Sequence, residues 1–190
     1  MGFSAAMFAL EEDPLKSAWY YLCLCISFAA IIMGCSDNAY LSMAALFCGL
    51  PFLLFRTPRG ILRYLVITAT FFTVIQIIHI TNQLFPSRVI GLESLFLIIV
   101  NFRWLPVVVL FFWLLAAAYW LFVKNPDRFS GSLPCRFFLG GSKTVRLWAA
   151  LMAIGLAAAC FLFFDANAGG HAGRYGSLQS YLVFNDSWGT

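Results

Sequence analysis

Thr73, Gln76, His79 and Gln83 are the residues whose spacing could do chemistry. On a helix, at about 100° per residue, they project within about a 120° arc of one face. The surrounding sequence is strongly apolar, and polar groups at membrane depth usually face protein or a ligand rather than lipid. Two readings follow. The stripe could hold a lipid head group or a metal, or it could serve as interhelical hydrogen bonding near the membrane surface. Arg88, Arg103 and Arg174 are the positive charges that would accompany it, and arginine suits bidentate contact with phosphate. Gln76, His79, Arg88, Arg103 and Arg174 are therefore the candidate head-group contacts.

Other chemistry finds little support. His79 and His171 are the two histidines, far apart, and neither their spacing nor that of Glu93 and Asp165 makes a metal site. No phosphate-binding glycine loop, nucleophile elbow or metalloprotease helix occurs. No catalytic residue, metal or cofactor is expected from these motifs, and a net charge of +4 is no nucleic-acid signal. Six cysteines make no framework: Cys23, Cys25, Cys48 and Cys160 fall within apolar runs, Cys135 in a basic loop, and Cys35 at the end of a run.

The elements that must position the stripe are membrane spans. The chain of 190 residues is 62% hydrophobic and 11% charged. Soluble domains carry about 25% charged residues, so lipid is the expected solvent. Each span needs roughly 20 apolar residues. The expected fold is all-α, a polytopic bundle of about five transmembrane helices near 17–34, 39–55, 61–80, 105–123 and 147–164. Residues 1–16 read as a mixed leader. Residues 84–104 are apolar but interrupted by charge, and read as an interfacial helix between the third and fourth spans. Residues 1–164 would form the membrane domain, and 165–190 a tail or linker outside the membrane.

Charge gives the orientation. With the N-terminus inside, nine of the 12 lysines and arginines lie on the cytoplasmic side (Lys16, Arg56, Arg59, Arg63, Lys124, Arg128, Arg136, Lys143, Arg146). Only Arg88, Arg103 and Arg174 lie outside, and the C-terminus is outside as well. Arg103 buried in mid-helix would cost roughly 3 kcal/mol, so the fourth span is expected to begin after it.

The stretches "HITNQLFPSRVIGLESLFLIIVN" (79–101) and "FFDANAGGHAGRYGSLQSYLVF" (163–184), with the five-span layout, resemble the membrane half of the sulfatase-like envelope transferases. That group includes lipoteichoic acid synthases and phosphoethanolamine or phosphoglycerol transferases. The resemblance implies a bacterial inner membrane, membrane lipids as partners, and a sulfatase-like catalytic domain as a further partner. It implies a membrane anchor and head-group platform, because no residue here matches the family's nucleophile or metal ligands. An accessory or assembly subunit of a membrane complex is the alternative, and a small transporter a third.

Overall fold

The computed structural model describes residues 1–34, 37–85, 103–124 and 140–167, and every regular element among them is helical. The helices are α1 (Gly2–Leu10), α2 (Pro14–Met33), α3 (Asp37–Leu54), α4 (Pro58–Leu84), α5 (Leu105–Lys124) and α6 (Ser142–Asn167). The all-α expectation holds. Four of them, α2, α4, α5 and Ser142–Asp165 of α6, are long and apolar enough to cross a membrane, and Ser42–Leu54 of α3 is a shorter apolar helix. The chain is a multi-pass membrane protein.

The leader departs from expectation. Residues 2–10 coil into α1, and Asp13 caps α2 by accepting from Leu15 N at 3.0 Å, with Pro14 as the first helical residue. Proline at that position gives up an N–H that has no helical partner anyway. The helix that carries the first expected span thus begins at Pro14. Ala5 and Ala9 are buried, and α1 packs against α2, α3 and α4. Small side chains let the helices approach closely.

Contacts divide the chain into residues 1–145 and 146–190. Within the first unit α4 is the central element. Half of its apolar window is buried, against 17% for α2 and 11% for α5. Its partners present narrow stripes: Leu24, Phe28 and Ile32 on α2 recur every fourth residue, the spacing of one helix face. Phe28, Phe47 and Phe71 join α2, α3 and α4, with Phe71 centroids 5.4 Å from Phe28 and 5.1 Å from Phe47. Hydroxyl bonds add direction: Tyr21 and Thr70 meet at 3.0 Å, and Tyr64 donates to Phe47 O at 3.1 Å. Such membrane bonds average about 0.6 kcal/mol each.

The α3–α4 turn is tight. Pro51 sits inside the last turns of α3, and Thr57 caps α4 by accepting from Gly60 N at 3.1 Å. A Cβ on Gly60 would lie 2.0 Å from Leu54 O, so only glycine fits. Gly141 N donates to Phe55 O at 2.9 Å, which brings the residues before α6 onto this turn. Gly140 has φ +78°, and a Cβ there would meet Thr57 C at 3.0 Å.

The second unit is described through Asn167. The apolar window of α6 has no buried residue, and Asn167 closes the helix by donating to Phe163 O at 2.8 Å. Most of the expected interfacial segment (86–102), of the basic loop (125–139) and of the tail (168–190) lies outside the described residues.

Candidate functional site

α4 is 27 residues long, or about 40 Å at 1.5 Å per residue. The hydrocarbon core is about 30 Å thick, so α4 is long enough for both ends to reach the head-group levels. The polar stripe occupies the C-terminal part of this rod, where α4 runs four residues past the expected end at Ile80.

Thr73 is committed to packing. Its hydroxyl donates to Ala69 O at 2.7 Å and accepts from Trp113 Nε1 at 2.9 Å, which ties α4 to α5. Phe72 stacks on Phe112 beside it, with centroids 5.2 Å apart. The interhelical reading of the stripe is thus realised at this residue. Trp113 did not stand out in the sequence, although an indole N–H within an apolar span needs an acceptor.

Gln76 and His79 behave differently. Gln76 Oε1 and His79 Nδ1 are buried atoms without a hydrogen-bond partner. The residues are three apart and so share a face. Gln83 Nε2 lies 3.0 Å from His79 Nε2. With the Gln83 amide nitrogen as donor, His79 Nε2 accepts and a neutral ring carries its proton on Nδ1. The pair therefore presents one unsatisfied acceptor, Gln76 Oε1, and one unsatisfied donor, His79 Nδ1–H. A hydroxyl group or a water both donates and accepts, and so matches both in kind. A phosphate oxygen serves only the donor, and an ammonium only the acceptor. Leaving such a group unpaired costs about 1–3 kcal/mol.

Among the five candidate contacts, Gln76 and His79 lie three residues apart on one face of α4. Arg103 is exposed in the turn before α5, with no described bond to either. Arg88 and Arg174 lie outside the described residues, as do His171 and Glu93. Among the described residues no group of three metal-ligating side chains occurs. Cys23, Cys25, Cys48 and Cys160 form no disulfide among the described residues, while Cys35 and Cys135 lie outside them.

No family model, curated protein or solved structure matches the chain.

The opposite end of α4 holds the other polar feature. A cleft of about 790 Å³ opens between the α1–α2 link and the α3–α4 turn, lined by Glu11, Glu12, Arg56, Thr57, Arg59 and Arg63 among others. The sequence marked those arginines only as orientation signals. Arg63 is in fact held in place: its Nη1 donates to Phe8 O, and its guanidinium lies 5.5 Å from the Phe8 ring centroid. α1 is thereby fastened to α4.

Proposed function

We propose that this protein binds a hydroxyl-bearing lipid head group at the C-terminal end of α4, as the non-catalytic membrane platform of a bacterial envelope transferase. The unpaired Gln76 Oε1 and His79 Nδ1 carry the reading, because together they ask for a group that both donates and accepts. A glycerol hydroxyl donates and accepts through one atom, whereas a phosphoethanolamine head group would need its ammonium and its phosphate in place together. Within the transferase resemblance this favours the phosphoglycerol branch. Arg88, Arg103 and Arg174 are the side chains proposed to meet the phosphate, on the outer face of the inner membrane by the positive-inside rule.

Co-purifying lipid, quantified by mass spectrometry, tests this. Two neutral hydrogen bonds contribute about 1–3 kcal/mol together, so Gln76→Leu with His79→Leu should lower retained phosphatidylglycerol about tenfold relative to phosphatidylethanolamine. Arg103→Ala should lower both. An unchanged lipid profile in the folded double variant would overturn the head-group reading and leave the pair hydrated. A sulfatase-like catalytic domain encoded next to this chain would support the transferase role. Its absence from the gene neighbourhood would count against that role.

A further inference from the structure

The cleft at the start of α4 poses an electrostatic question. The helix N-terminus carries about half a positive charge, which acidic side chains normally offset. The first turn of α4 has no acidic residue. Instead Arg56 precedes it, and Arg59 and Arg63 lie on its first two turns. Three arginines face two glutamates, Glu11 and Glu12, across the cleft, which leaves one positive charge beyond the helix end's own. The closest ion pair, Arg59 Nη1 to Glu12 Oε1, spans 4.0 Å between side chains that are 83% and 89% exposed. Pairs of that kind contribute little. Arg63 is preoriented by Phe8, so one guanidinium of the set is already fixed.

We propose that this cleft binds the phosphate group of an anionic phospholipid, in the leaflet opposite the Gln76–His79 pair. The guanidiniums supply donors and charge for a phosphate, and the helix end adds positive potential. The apolar walls point to a lipid rather than a soluble anion. Leu10 and Leu53, on either side of the cleft, are 68% and 63% exposed and give glycerol and acyl chains a surface. The site is separate from the proposed head-group site and takes different chemistry, charge rather than a hydroxyl.

Phosphatidic acid is the suitable probe, because its head group is a bare phosphate with no hydroxyl-bearing alcohol. The full chain in neutral detergent is titrated with it and followed by native mass spectrometry. One tight binding event is expected. Arg56→Gln and Arg59→Gln, both exposed and so compatible with folding, should each weaken it about tenfold. Glu12→Gln should tighten it only slightly, since the exposed Arg59–Glu12 pair is weak. Arg59→Lys keeps the charge but loses the planar fork, and should bind several-fold more weakly than the parent. Gln76→Leu should leave it unchanged. Affinity equal across parent, Gln and Lys variants would overturn the site and reduce the arginines to orientation signals. Displacement by inorganic phosphate or glycerol phosphate at concentrations matching the lipid would overturn the lipid assignment and show a soluble-anion site.

Discussion

The two ends of α4 solve the same problem in opposite ways. At the start, polar groups are charged, exposed and contributed by three elements: the α1–α2 link, the α3–α4 turn and α4 itself. Near the end, they are neutral, buried at the atom level and carried by one helix. Exposed charges keep their hydration, so surplus charge costs little and discriminates weakly among anions. Buried neutral groups lose hydration, so each unmet donor or acceptor discriminates by the full cost of leaving it unmet. On the proposed readings, the first end attracts and the second selects.

The contrast can be broken at three points. The largest effect belongs to Gly60→Ala. Its Cβ would meet Leu54 O at 2.0 Å, which is backbone and cannot turn aside. We expect a loss of about 3 kcal/mol or more, read as a lower Tm of the detergent-solubilised protein, with phosphatidic acid binding lost as the turn opens. Retained stability would mean that the turn does not depend on that close approach. A smaller effect is expected for Trp113→Phe, which removes the bond to Thr73 and keeps the ring. About 1 kcal/mol should be lost, with Thr73→Val showing no further loss in the Trp113→Phe background. Additive losses would show that the two side chains act separately. The smallest effect on stability is expected for Gln76→Leu. Removing an unpaired buried acceptor should leave Tm unchanged or slightly raised, while phosphatidylglycerol retention falls. A drop in Tm larger than that of Trp113→Phe would show that Gln76 has a partner within the protein, and the selecting end would be ordinary packing.

The sequence made the fold class legible because span length and apolarity are local properties. The fourth span, 105–123, and α5, Leu105–Lys124, nearly coincide. The helix of residues 2–10 was not legible. Nine residues are too few to cross a membrane, and what stabilises α1 is packing of Ala5, Ala9 and Phe8 on other helices. Asp13–Pro14 is a helix start signal that the reading of 1–16 as a mixed leader did not use. At the candidate site the helical period placed Gln76, His79 and Gln83 on one face. It could not show that Gln83 occupies one imidazole nitrogen, which is what makes the other a donor. Nor could it pair Thr73 with Trp113, forty residues on, since interhelical partners depend on rotation and register. The arginines were read for charge alone, and their convergence with Glu11 and Glu12 needed the fold of α1.

The hydrogen bond from Gly141 to Phe55 has a consequence for the order of synthesis. Phe55 leaves the ribosome 86 residues ahead of its partner (141 minus 55), which at about 5–20 residues per second is a wait of roughly ten seconds. During that interval α3 and the first turn of α4 must already be inserted, with the Phe55 carbonyl facing water or head groups. The clasp then closes from outside onto a finished hairpin. A translation pause anywhere between residues 60 and 140 should therefore lengthen the interval in which the α3–α4 turn lacks this bond and stays accessible to protease.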